Sequence, residues 1–260
     1  MARMKNFLKN TWNSLKTLHW YEWLMVVVMI AIAAYSMIEA FIHPTPGSNP
    51  AWLASINFVS AVCGIMCIFL CAKANIYNFG FAIINTIVYI VYLAYWKIYG
   101  TMFLEILVYF PINFISLWHW MRHKDNIDKT LTKSKRLSLL QNVLVVLGIT
   151  CLTVITNFFL TSLAGDSWAK FALSFGLNPA IMHWIDAATF SIGIVAVVLE
   201  MLRYREQYVW WIITDILAVG MYILHFDAVY LCKKSIYLIM AIVGLINWVK
   251  LNKERNEVNE

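Results

Sequence analysis

Several side chains that hydrogen-bond or carry charge stand inside runs of sequence that are otherwise almost wholly apolar. Asn85 and Thr86 interrupt FAIINTIVYIVYLAYW, Thr214 and Asp215 interrupt VWWIITDILAVGMYIL, and Asn113 follows Pro111 in EILVYFPINFISLWHW. Nearer the ends of such runs lie Glu105, Asp186, Thr189, Lys234, Ser235 and Tyr237. A polar group deep in an apolar helix is costly and normally faces a bundle interior. A carboxylate, amides and many aromatic rings suit a flat, cationic, hydroxyl-bearing solute. The rings attract a cation through their quadrupole, and Asn and Asp can pair with hydroxyls. Structural readings compete: Asp186 could be a satisfied helix-end residue, and Lys234 could snorkel or pair with Glu105 or Asp227.

No hydrolytic or nucleotide-binding motif accompanies these residues: HExxH, CxxC, GxSxG and the P-loop are all missing. No enzyme, cofactor or metal is therefore expected. His119 and His123 are spaced i, i+4 but lack the further ligands zinc requires. Cys63, Cys67 and Cys71 share one helix face without His or carboxylate, which fits small apolar packing.

The elements that must position these groups are membrane-spanning helices. The chain has 260 residues, 62% hydrophobic and 13% charged, too little polar surface for a soluble domain of this size. Trp23 to Ile42 alone gives twenty residues, enough at 1.5 Å per residue to cross a hydrocarbon core about 30 Å thick. That run is too long for a signal-peptide core and has no small-residue cleavage site after it, so a retained helix is expected. Spans are expected near 23–42, 52–72, 76–96, 101–121, 138–163, 180–202, 208–226 and 228–250.

Basic residues gather at alternate ends of these spans: Arg3, Lys5, Lys9 and Lys16, then Lys73, then Arg122 to Arg136, then Arg203 and Arg205, then Lys250, Lys253 and Arg255. The positive-inside rule then puts both termini in the cytoplasm. The net charge of +6 follows from this asymmetry and from contact with anionic headgroups, with no folded basic domain for nucleic acid. The loop RHKDNIDKTLTKSKRLS reads as a solvated cytoplasmic connector. Of the twelve Trp, Trp12, Trp20, Trp23, Trp52 and Trp168 fall at expected interfaces, while Trp118, Trp120, Trp210, Trp211 and Trp248 cluster near helix ends.

An ungapped shift of 130 residues lays spans 52–72, 76–96 and 101–121 over 180–202, 208–226 and 228–250. Lys73 then meets Arg203, Asn85 meets Asp215, Tyr92 meets Tyr222 and Trp118 meets Trp248. The organisation expected is a 3+1+3 all-α membrane protein with parallel repeats. An N-terminal segment and extra helix occupy 1–45, a first bundle 52–121, a linker helix 138–163, a second bundle 180–251 and a tail 252–260. Parallel repeats are a transporter plan with the solute at the repeat interface. Pro111, inside the third span of the first bundle, removes a backbone hydrogen bond and is a candidate hinge.

The stretch EQYVWWIITDILAVGMYILHFDAVYLCKKSIYLIMAIVGLINWVK resembles the last three helices of PnuC-type nicotinamide riboside transporters. The residues carrying the resemblance are Glu206, Tyr208, Trp211, Asp215, Tyr222, Gly244 and Trp248, with FPINFISLWHWMRH closing the first bundle comparably. Tyr208 stands where that pattern favours Trp. The resemblance covers about residues 52–251. It implies a fold similar to the SWEET sugar transporters and facilitated diffusion of nicotinamide riboside through a bacterial inner membrane. Trapping by a cytoplasmic riboside kinase and assembly as a homotrimer are further implications. The residues expected to bind solute are Asn85, Tyr92, Glu105, Asn113, Trp118, Asp186, Trp211, Asp215, Tyr222, Tyr237, Asn247 and Trp248. Competing readings are a carrier of a sugar or another vitamin, a proton-coupled carrier, and a membrane sensor.

Overall fold

The computed structural model describes residues 18–43, 50–95, 105–125, 130–163, 179–224 and 228–257, together with 12, 13, 16 and 102. The loop 164–178, Trp168 and Asp227 lie outside the described residues, as do the side chains of Asp186 and Tyr222. Among the described residues there are eight long α-helices: α1 Trp20–Ile42, α2 Ala51–Ala72, α3 Asn78–Tyr95, α4 Phe110–Arg122, α5 Leu139–Leu163, α6 Pro179–Met201, α7 Gln207–Leu224 and α8 Ala228–Glu257. Each falls on an expected span, with α8 running farther into the tail. Five of them contain, within the described residues, a stretch long and apolar enough to cross a bilayer. Spanning helices satisfy every backbone group internally, so a chain this apolar has little other choice of structure.

The fourth span departs from a plain helix. Glu105–Tyr109 forms a π-helical segment leading into α4, and Pro111 lies in the first turn of α4. Proline has no N–H to donate, and the wider π turn takes up the register it breaks. Pro111 thus sits in the opening turn of α4, at a junction between helical types, rather than in the middle of an α-helix.

The chain divides into two compact units, residues 1–133 with 250–260 and residues 134–249. In the first unit α1 packs on α2, α2 on α3, and α3 on the π segment and α4. The extra helix α1 is tied in by charge as well as by packing. The Glu22 carboxylate is fully buried in its first turn, accepts the His19 backbone N–H at 2.7 Å and pairs with Lys73 Nζ at 3.1 Å. An acid at a helix start and a lysine just past a helix end both complement the helix dipoles. In the second unit α5 packs on α6 and α6 on α7, while α8 reaches α7 through the side chains described below.

The same turn is built twice. The α2–α3 turn closes with Asn75 N–H on Leu70 O and Ala74 N–H on Cys71 O; the α6–α7 turn closes with Tyr204 N–H on Leu199 O and Arg203 N–H on Glu200 O. These are Schellman caps. The residues in the left-handed position are Ala74 (φ 55) and Arg203 (φ 68), 129 positions apart. Asn78 and Gln207, both fully buried amides, open the following helices at the same separation. The local geometry therefore recurs one residue short of the ungapped shift read from the sequence, placing Ala74 rather than Lys73 opposite Arg203. Apolar helices tolerate such a slip because most of their neighbours are chemically alike.

Residues 130–135 are more than a solvated connector. In the first unit Thr132 N–H donates to Ala74 O at 3.0 Å and Ile76 N–H to Thr130 O at 2.9 Å. In the second, Lys135 N–H donates to Arg203 O at 2.8 Å and Arg205 N–H to Lys135 O at 3.1 Å. In both, the carbonyl of the left-handed residue receives a loop N–H. Lone backbone groups at helix ends need such partners.

Candidate solute-binding residues

Each unit carries its own set of polar groups. In the first, Asn85 on α3 meets Ser60 on α2: the Ser60 hydroxyl donates to Asn85 Oδ1 at 2.6 Å. Gly64, one turn beyond Ser60, faces the same amide. Directly after it, Thr86 Oγ1 accepts from Asn113 Nδ2 at 3.3 Å, joining α3 to α4. Two hydrogen bonds thus connect three helices across apolar packing, where the alternative is an unsatisfied polar group. Ser60, not among the residues expected to bind solute, does carry a sequence signal: a hydroxyl and a glycine four residues apart on one face of α2.

Other expected residues of this unit stand apart from that network. Tyr92 stacks on Tyr89 with ring centroids 6.0 Å apart. Glu105 lies half-buried on the π segment. Trp118 is 50% exposed, and the Arg122 guanidinium covers its ring at 3.9 Å. The buried indole is that of Trp120, packed edge-on against Phe79 at 4.8 Å.

In the second unit the Asp215 carboxylate on α7 is nearly buried and pairs with Lys234 of α8, Nζ to Oδ1 3.2 Å. The same ammonium lies 5.5 Å from the centre of the Tyr237 ring, and Lys233 Nζ lies 5.7 Å from it. Lys234, for which the sequence suggested Glu105 or Asp227, is thus paired with Asp215, while Asp227 lies outside the described residues. Thr214 turns its hydroxyl back to Trp210 O at 2.9 Å, an ordinary helical arrangement. Trp211 and Asn247 are half-buried.

Trp248 is fully buried, edge-on to Tyr208 at 5.7 Å, and its carbonyl accepts the Ser134 hydroxyl at 3.3 Å. A side chain on Gly244 would collide with the Tyr208 ring. Phe79 with Trp120 in the first unit and Tyr208 with Trp248 in the second are both edge-on aromatic pairs, each with a fully buried indole. Among the described residues no group of three or more His, Cys, Asp or Glu is placed to hold a metal.

The model of the family described as nicotinamide mononucleotide transporter matches residues 54–250. This chain belongs to that family. A nicotinamide riboside transporter PnuC of Neisseria mucosa is 32% identical over 220 residues, covering 80% of this chain and 76% of the relative. The nicotinamide riboside transporter PnuC of Haemophilus influenzae is 32% identical over 231 residues, covering 88% and 92%. A crystal structure of the vitamin B3 transporter PnuC superposes with a TM-score of 0.65 at 28% identity, covering 91% of this chain and 94% of that one. As a member of this family the chain is a multi-pass membrane transporter rather than an enzyme. The family match starts at residue 54, beyond α1, whose Glu22 is the carboxylate that meets Lys73.

Proposed function

We propose that this chain carries nicotinamide riboside across a bacterial inner membrane by facilitated diffusion, with phosphorylation by a cytoplasmic riboside kinase trapping the product. The observation that carries the reading is the buried Asp215 carboxylate of the second unit, which with the Tyr237 ring brackets the Lys234 ammonium, in a transporter 32% identical to proteins named for that solute. A pyridinium is a flat cation, the kind of charge a carboxylate and an aromatic face attract together. The amides Asn85 and Asn113 offer donors and acceptors suited to the ribose hydroxyls and the carboxamide. Glu105, Trp211 and Asn247, each half-buried, are further candidates for contact with solute.

The architecture that goes with this reading is SWEET-like. Helices α2–α4 and α6–α8 form two parallel repeats joined by α5, both termini face the cytoplasm, and the protein assembles as a homotrimer. The recurring Schellman turns and matching aromatic pairs support two repeats. The alternating basic ends of the spans support the orientation. Pro111, at the junction of π and α geometry, is the proposed hinge.

Counterflow in proteoliposomes tests the function. Vesicles preloaded with unlabelled nicotinamide riboside should accumulate the labelled compound with neither ATP nor a pH gradient. Accumulation only under a proton gradient would replace uniport by coupling, and binding without counterflow would make the protein a sensor. Counterflow of glucose or thiamine in place of the riboside would move the assignment to another solute.

A further inference from the structure

The cation position in the second unit already has an occupant supplied by the chain. Asp215 and Tyr237 sit on different helices, α7 and α8, and the group that meets both is the ammonium of Lys234, 3.2 Å from the carboxylate and 5.5 Å from the ring centre. The Asp215 side chain is 7% exposed and that of Lys234 is 27% exposed, so the lysine is the more accessible partner of the pair. Lys233 adds a second ammonium over the same ring. Two cations and one carboxylate here work against a positively charged guest.

We infer that Lys234 is a specificity-determining internal competitor: its ammonium holds Asp215 and Tyr237 against cationic solutes, and a cationic solute binds there by displacing it. The inference rests on the proposed solute-binding role of this position. A buried carboxylate stripped of its partner is strongly unfavourable, so the two cations must exchange and cannot leave the acid bare. The exchange keeps the charge of the position constant while limiting how tightly the solute is held. A carrier benefits from that limit, because a solute bound too firmly is released slowly. The competition acts on charge, so an uncharged molecule of the same shape gains nothing from removing it.

The test is calorimetric titration of the detergent-purified full chain with nicotinamide riboside and with benzamide riboside, a neutral isostere having carbon in place of the ring nitrogen. Lys234→Gln should tighten nicotinamide riboside by about tenfold, the scale of one cation–π or partly buried charge contact, and change the isostere by less than about twofold. Weaker or unchanged binding of the cation, or equal tightening of both ligands, would overturn the inference. Should the single variant fail to fold, Asp215→Asn/Lys234→Gln, which leaves no bare charge, decides instead. Its preference for the cation over the isostere should fall below that of the wild type, and an unaltered preference would also refute the inference. Wild-type protein that binds neither riboside would defeat the proposed function and this inference together. A wild type that binds nicotinamide riboside, with variants unaltered, would defeat the inference alone.

Discussion

At Gly244 the absence of a side chain is a packing requirement. The Tyr208 ring lies over its α-carbon and continues edge-on to Trp248, so one small residue sets how closely the start of α7 approaches the middle of α8. Gly244→Ala should force the ring aside and destabilise the protein by about 1–3 kcal/mol, the usual scale of overpacking. A fall in melting temperature in detergent, alongside a changed Tyr208–Trp248 geometry, would be the readout, and an unchanged melting curve would refute it. Gly148 makes a suitable control, since a side chain there meets nothing within 4 Å. The residue scale is also where the sequence was least legible. Trp118 and Trp120 are two positions apart and chemically identical, yet one is half-exposed under Arg122 and the other is wholly buried. Nothing in WHWMR distinguishes them without knowing which face of α4 packs on α3. Lys234 posed the same difficulty: the sequence suggested Glu105 or Asp227, and the pairing with Asp215 follows from the packing of α7 and α8.

At the scale of elements the sequence was far more informative, because length and apolarity alone define a span. Eight expected spans coincide with eight helices, since an apolar run of about twenty residues has few other outcomes. What the runs could not convey was register. Sliding one apolar helix along another by a residue alters few identities, and the spacing of 129 between the two left-handed turns emerges only from their geometry. Those turns carry strain that sequence rules assign to glycine, because Ala74 and Arg203 adopt positive φ. Ala74 is fully buried, so a β-branched residue there suffers both in backbone and in space. Ala74→Val should destabilise by about 1–3 kcal/mol, while Ala74→Gly should be neutral or stabilise by up to about 1 kcal/mol. Thermal melting of the two variants checks this, and a glycine variant less stable than the valine one would contradict it.

At the scale of the whole molecule, hydrophobicity and family membership agree that the chain lives in a membrane and moves a solute. The bond between Glu22 and Lys73 adds a consequence for any attempt to reduce the protein to its family-wide essentials. The matched stretch opens at residue 54, and a version of the chain pared down to it would keep the lysine while discarding the acid that neutralises it. The lysine would then lose that carboxylate one residue before the left-handed Ala74, whose carbonyl the Thr132 N–H holds. Shortening should cost more than the apolar contacts of α1, and Glu22→Gln in the intact chain isolates that excess at about 2–3 kcal/mol, less than a fully enclosed pair because Lys73 retains some exposure. If the glutamine variant melts as the parent does, α1 is held by grease alone. Otherwise the leading helix is a counterweight to the first turn, and a chain without it gives up that electrostatic anchor.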